Sequence, residues 1–312
     1  MDTLLTVSSL TKHFKEQQVL RGVSFDVRRG EILCILGPNG AGKSTTINIM
    51  TGTLAKSGGT ITFKGVPVEK QLRSYKQSLG IVPQDITLYE ELSPEKNIAF
   101  FASLYGLRGK KLRDAVDSAL AFAGLEQRRH DKVKTFSGGM KRRLNIACAV
   151  AHRPELIIMD EPTVGIDPQS RNHILDSIQK LRSEGMTVIY TTHYMEEVEA
   201  IASRIIILDK GTVIAEGTTE SLKESVSAER HYVIEVEENG RIPESKFYAI
   251  EGVRSAHLEG STIRLSSVRG IENLDRIIAL LTENGERIRN ITSETASLET
   301  VFLKLTGRTL RD

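Results

Sequence analysis

The chain has 312 residues, enough for about two domains at ~150 residues each and for a sizeable core without disulfides. Hydrophobic residues make up 39% and charged residues 26%, which excludes a disordered or fibrous chain and fits a soluble globular one. The 42 Lys and Arg against 40 Asp and Glu leave a formal charge of +2, too balanced for a nucleic-acid coat or a polybasic membrane anchor, so no nucleic-acid partner is expected. Two cysteines exclude a disulfide framework. Cys34 lies in a strand-like run and Cys148 in a helix-like run, so both read as buried free thiols of a reducing compartment. The longest apolar runs, such as Ile205–Leu208, fall far short of the ~20 residues of a membrane span. The start, Met1–Leu5, lacks the basic opening and long apolar core of a signal peptide. A cytoplasmic chain is expected, one still able to dock on a membrane protein.

In chain order, the N-terminal residues up to about 30 and the stretch Gly58–Lys64 read as short antiparallel strands. Ile32–Leu36, Leu156–Met159 and Thr187–Tyr190 are apolar runs too continuous for a half-exposed strand and too short for a helix, which suits parallel strands covered on both faces. Helical patterns between them predict an α/β domain with a parallel sheet. From Asp85 to Thr135 no strand-like run occurs. Ser93-Pro94-Glu95 reads as a cap with proline at the first helical position, and Ile98, Phe101, Ala102 and Tyr105 follow at helical spacing up to Gly106. Leu112, Val116, Ala119, Leu120 and Ala123 mark a second helix ending at Gly124, so an inserted helical subdomain is predicted over about 85–150. Ile205–Ala215 reads as an antiparallel pair turning at Asp209-Lys210-Gly211. Composition shifts after Gly217. We read a first domain over 1–220, a polar linker over 221–229 and a small α+β domain over 230–312. In the last, strands are expected around Tyr232–Val236, Val253, Thr262–Leu265 and Ile288–Ile291. A helix is expected at Leu274–Leu281 and a final one after the cap Ser297, stopped by Gly307.

The chemistry-bearing residues cluster in the first domain. Gly37-Pro38-Asn39-Gly40-Ala41-Gly42-Lys43-Ser44, followed by Thr45, matches G-x-x-x-x-G-K-[ST] between a predicted strand and a helix. Glycines there let backbone N–H groups approach phosphate oxygens, and the helix N-terminus adds partial positive charge. Lys43 would bridge the β- and γ-phosphates of a nucleotide and Ser44 would bind Mg²⁺; alone, the motif says nucleotide phosphates and no more. Asp160 and Glu161 end the strand Leu156–Met159, where an acid faces the ligand crevice. Asp160 suits Mg²⁺; Glu161 suits a general base for attack on the γ-phosphate. His193 follows the third strand at the same end and can hold the attacking water. Ser137, Gly138 and Gly139 form a second Gly-rich turn before a helix carrying Leu144, Ala147, Cys148 and Ala151. A head-to-tail dimer, in which each chain's second cradle closes the other's ATP site, would answer why one chain carries two cradles with one acid pair, an answer the residues alone leave open.

These motifs resemble the nucleotide-binding subunits of ABC (ATP-binding cassette) transporters. Walker A at Gly37–Ser44, Gln84 in Val82-Pro83-Gln84-Asp85, the signature at Ser137–Met140, Walker B at Leu156–Glu161, the D-loop ending in Asp167 and the switch His193 occur in the family's order over roughly residues 3–220. The resemblance implies a P-loop ATPase of that fold, hydrolysing ATP with Mg²⁺. It implies that Gln84 links Mg²⁺ to a membrane partner, that Ser137 and Gly139 contact the opposite ATP, and that Asp167 works across a dimer interface. As a residue, Asp167 also suits an N-cap before Pro168. Phe14 aligns with the adenine-stacking aromatic, a core residue being the alternative. Two positions depart from the usual pattern: Met140 stands where glutamine is usual and lacks the amide's hydrogen bonds, and Phe14 stands for a tyrosine.

Thr192-His193-Tyr194-Met195-Glu196-Glu197 and the tail Ser297–Gly307 look like the drug- and antibiotic-exporter type of the ABC-2 class, whose membrane subunits are separate chains. The leading expectation is the ATPase subunit of a membrane exporter, peripheral on the cytoplasmic face of the membrane, working with integral membrane subunits and a second ATPase subunit, as a homodimer. The short stretch between Gln84 and Ser137 leaves no room for the long coiled coil of chromosome-maintenance ATPases, and one cassette per chain does not match the ribosome-acting type. A drug-sequestering or regulatory module and an importer subunit stay open.

Overall fold

The computed structural model describes residues 2–226, 229–237, 242–294 and 297–307. The chain divides into two compact units, one running to Thr219 and one over Glu220–Gly307.

In the first unit, β1 (Thr3–Phe14) and β2 (Gln17–Arg28) form a long antiparallel hairpin, with Leu4, Leu5, Val7 and Leu10 of β1 buried and Thr6 and Ser8 between them half-buried. Next come β3 (Ile32–Leu36), all five residues buried, and α1 (Lys43–Met50). β4 (Gly58–Phe63) and β5 (Val66–Pro67) complete an antiparallel sheet of order β2-β1-β4-β5. A short α2 (Leu72–Gln77) leads into β6 (Leu79–Val82). The expected insertion is helical: α3 (Pro94–Leu104) is capped by Ser93, whose hydroxyl accepts from the Lys96 N–H at 3.3 Å, and α4 (Gly109–Ala123) ends on Gly124 in the left-handed conformation. Both pack on α5 (Gly138–Val150) around a core that includes Ile98, Leu120, Phe136 and Leu144. Leu88 packs partly buried against this same core.

β7 (Leu156–Asp160), α6 (Pro168–Ser183), β8 (Thr187–Thr192), α7 (Met195–Ile201), β9 (Arg204–Asp209) and β10 (Thr212–Gly217) complete the unit. The six-stranded sheet has the order β10-β9-β3-β8-β7-β6. Its central strands are parallel and buried, so β3, β7 and β8 present their carboxyl ends, and the loops after them, along one edge. Two features differ from expectation. β9 is antiparallel to β10 as its turn requires, yet it also pairs in parallel with β3 and belongs to the core sheet. β6, unread in the sequence, pairs in parallel with β7 at the sheet's edge.

In the second unit, the expected linker is helical over Thr219–Val226, our α8. Its Leu222 is buried, and its C-terminal carbonyls accept from Lys304 and Arg269, which makes it part of the second unit. Ser227 and Ala228 of that stretch lie outside the described residues. β11 (Glu229–Val236), β12 (Val253–Glu259), β13 (Thr262–Val268), α9 (Leu274–Glu283), β14 (Ile288–Glu294) and α10 (Leu298–Thr306) follow. The sheet is antiparallel, of order β12-β13-β11-β14, with a core around Ile234, Phe247, Leu265, Ile277 and Leu281. His257 is 84% exposed, and His231 is exposed as well. Both cysteines are buried free thiols, and burial pushes both well above the usual thiol range.

Candidate functional site

Between β3 and α1 the chain folds around a cleft of about 210 Å³, lined by Val19, Pro38–Thr45, Gln84 and Glu161. Gly42 is the N-cap of α1, at φ 107°, and a Cβ there would stand 2.6 Å from Leu20 Cδ2, so both conformation and space demand glycine. No side chain caps α1. The N–H groups of its first turn, among the orphan donors of any helix start, belong to the residues that line the cleft. Lys43 is 6% exposed; its ammonium donates to the carbonyls of Gly37 at 2.7 Å and Pro38 at 3.3 Å, and lies 3.8 Å from Glu161 Oε1. Burial holds its pKa below the usual lysine range, opposed by the charges of Glu161 and Asp160.

The acid pair is set by β7 and β8. Asp160, at the end of β7, accepts from Thr191 Oγ1 at 2.6 Å. Glu161 takes φ 45°, a left-handed conformation that costs a non-glycine residue about 1–2 kcal/mol. Its N–H is held in return by Thr191, donating to the carbonyl at 3.1 Å and to the hydroxyl at 3.0 Å. Its side chain lines the cleft. There Glu161 Oε2 lies 3.4 Å from His193 Nδ1. Lys43, Glu161 and His193 thus form one contiguous row along the crevice. Thr191 is a residue that sequence reading missed; its signal, a hydroxyl one register position across from Asp160, becomes visible only once β7 and β8 are paired.

The second cradle lies apart from this cleft: none of Ser137, Gly138, Gly139 and Asp167 lines it. Ser137 caps α5, accepting from the Met140 N–H at 3.3 Å. Asp167 caps α6, accepting from the Ser170 N–H at 2.9 Å, and that backbone bond holds its carboxyl below the usual range. The two helix starts touch. A Cβ on Gly139 would come 2.7 Å from Ser170 Cβ and 3.7 Å from Asp167 Oδ2, so glycine lets the signature turn sit against the D-loop. Ser137, Gly138 and Asp167 are exposed, facing outward as a surface rather than a pocket. Met140 packs partly buried against the helical core, so the residue that replaces glutamine contributes packing. Arg142 of α5, 4% exposed, donates to the carbonyls of Pro83 at 3.0 Å and Gln84 at 2.6 Å, tying the Gln84 loop to the signature helix. Phe14, at the end of β1, is 44% exposed under the Lys12 ammonium at 4.9 Å, which places it on the surface rather than in the core.

Comparison with known proteins agrees with this geometry. Residues 20–164 match the family model described as ABC transporter. The chain is 41% identical over 316 aligned positions to the linearmycin resistance ATP-binding protein LnrL of Bacillus subtilis (strain 168), covering 99% of this chain and 100% of that protein. It is 35% identical to a Nod factor export ATP-binding protein I of Rhizobium sp. (strain N33), covering 97% of each. Among solved structures, a dimeric post-hydrolysis ATP-binding cassette bound to ADP and Pi matches with TM-score 0.62 at 27% identity, over 69% of this chain and 98% of that one. The chain belongs to the ABC transporter family. It is an ATP-binding subunit of that family and hydrolyses ATP.

Among the described residues no group of three or more His, Cys, Asp or Glu side chains is arranged to hold a metal by itself. Mg²⁺ takes one or two protein oxygens and completes its shell with phosphate oxygens and water. Ser44, itself exposed on the first turn of α1, and Gln84 supply hard oxygen donors at the cleft, with Asp160 at the end of the neighbouring strand. Among the described residues no helix is long and apolar enough to cross a membrane.

Proposed function

We propose that this chain powers a membrane exporter of a drug or antibiotic, docked on the cytoplasmic face of the membrane against integral membrane subunits on separate chains. The observation that carries the chemistry is the row Lys43–Glu161–His193 beside a helix N-terminus, with spacings of 3.8 and 3.4 Å. ATP phosphates lie along the first turn of α1, and Lys43 exchanges its backbone acceptors for phosphate oxygens. Ser44, Gln84 and Asp160 would hold Mg²⁺, which would supply positive charge against the phosphates. Glu161 takes a proton from water as the water oxygen bonds to the γ-phosphorus and the β–γ bridging bond breaks, giving ADP and phosphate. His193 donates toward the γ-phosphate and keeps the water in line. Phe14 stacks on the adenine.

Ser137, Gly138 and Asp167 are exposed outside the chain's own cleft, with Gly139 buried beneath them against Ser170, which suits a second copy supplying its cleft opposite this surface. We read a head-to-tail homodimer closed by ATP, a state consistent with the dimeric relative. On the helical subdomain, Tyr89 and Phe100 stand edge to face at 5.0 Å, 49% and 39% exposed, next to Leu104 at 66%. This apolar patch begins five residues after Gln84 and suits a helix of the membrane subunit. The export of a drug rests on the resistance and export relatives and on the tail Ser297–Gly307. Deleting the chromosomal gene and complementing it with wild type or Glu161→Gln tests it: resistance to at least one of a panel of membrane-active antibiotics should need the hydrolytic chain. Equal sensitivity of all strains to the whole panel would count against a drug cargo.

A further inference from the structure

Glu197 lies on α7, four residues beyond His193, and is 1% exposed. A carboxylate at that depth persists only when donors match its oxygens. Its Oε1 accepts from Thr163 Oγ1 at 2.6 Å and faces Arg171 Nε at 3.4 Å; its Oε2 accepts from Tyr190 OH at 2.8 Å and Thr192 Oγ1 at 2.7 Å. Burial, reinforced by this carboxylate, pushes the Tyr190 phenol well above its usual range, so it keeps the proton it donates. The donors come from the segments that carry the reacting groups. Thr163 follows Glu161 in the turn after β7. Arg171 is on α6, where its N–H donates to the Asp167 carbonyl at 2.9 Å. Thr192 ends β8 immediately before His193.

Two routes lead from Glu197 to the imidazole. The Thr192 hydroxyl donates to Glu197 and accepts from the Tyr194 N–H at 3.0 Å, which fixes the backbone on both sides of His193. The Arg171 guanidinium stands 4.5 Å from the Tyr194 ring centroid, and that ring packs 4.3 Å from the His193 ring. Glu197 itself is not among the residues that line the P-loop cleft. We propose that Glu197 is a positioning residue: it holds His193 within reach of Glu161 and the γ-phosphate, and ties that placement to the Asp167 end of α6. The proposal rests on the reading of His193 as a γ-phosphate contact given above.

The test is a double-mutant cycle on the full chain, read by single-turnover ATP hydrolysis, with ATP affinity measured by calorimetry. Glu197→Gln keeps the shape, loses the charge that holds Arg171 and turns one acceptor into a donor. It should slow hydrolysis on the order of tenfold while ATP affinity stays within about twofold. His193→Ala should slow hydrolysis at least as much, and the double variant should be no slower than His193→Ala alone, because the two act through one group. Thr192→Val removes only the hydroxyl of the first route and should slow hydrolysis about threefold or more, which keeps the test available if Glu197→Gln fails to fold. Losses that multiply in the double variant, or ATP affinity falling in step with the rate, would overturn the role of Glu197. Undiminished hydrolysis by His193→Ala alone would instead overturn the underlying reading of His193.

Discussion

Replacing Gly139 with alanine would place a methyl group 2.7 Å from Ser170 Cβ, about 0.7 Å inside the 3.4 Å at which ordinary contact begins. The nearer clash, with Ser170 Oγ, can be relieved by rotating that hydroxyl; the clash with Cβ cannot, because Cβ moves only with the backbone of α6. The start of α5 and the start of α6 must therefore separate, and overpacking of this kind costs about 1–3 kcal/mol. The separation moves Ser137 relative to Asp167, the two groups read as facing a second chain. ATP affinity at the chain's own cleft should stay within about twofold, because neither helix start lines it. ATP-driven dimerisation, followed by size-exclusion chromatography with light scattering in a Glu161→Gln background, should weaken on the order of tenfold, the equivalent of ~1.4 kcal/mol. Ser170→Gly added to Gly139→Ala removes both clashing atoms and should restore part of the loss. Unchanged melting temperature and dimerisation in Gly139→Ala would refute the reasoning, as would a loss that Ser170→Gly leaves untouched.

Lys43→Ala removes a buried charge-assisted contact worth about 1.5–3 kcal/mol, so ATP affinity by calorimetry should fall tenfold or more. His152, stacked on Tyr105 with Nε2 2.9 Å from the Leu79 carbonyl, has its pKa lowered from 6.5 to about 4 by burial. The folded state therefore binds fewer protons than the unfolded one between those values, and stability should drop as pH falls from about 6.5 to about 4; His152→Gln should flatten the melting temperature over that window. Tyr89→Asp should leave folding and basal hydrolysis of the isolated chain intact but lower partner-stimulated hydrolysis, whereas Leu88→Asp, set against the helical core, should lower the melting temperature of the chain itself.

How much of this was legible depends on how local each signal is. The P-loop, the Asp160-Glu161 pair at a strand end and the caps Ser93, Asp167 and Ser297 are written in neighbouring residues, and all three caps form. β6 was not readable, because its four residues include Gly80 and its partner β7 lies far along the chain. The parallel pairing of β9 with β3 was hidden behind a good hairpin signal to β10, since one strand can satisfy both neighbours. The helix α8 looked like a linker because one buried residue, Leu222, carries its packing in a polar segment. In the site, Thr191, Glu197 and Arg142 were given no role for a shared reason: each bonds a residue far along the chain, Asp160, Thr163 and Gln84 respectively, that only the fold brings near.

The central claim is that Glu161 takes the proton from water in a cleft closed by a second copy of the chain. Glu161→Gln keeps the shape at φ 45° and the Thr191 bonds to its N–H, which do not involve the carboxylate, but its amide cannot accept the proton. Measured side by side for wild type and variant, ATP affinity should be equal, hydrolysis lowered by at least about a hundredfold, and a stable dimer in ATP should form only for the variant. Hydrolysis at the wild-type rate in Glu161→Gln would contradict that claim.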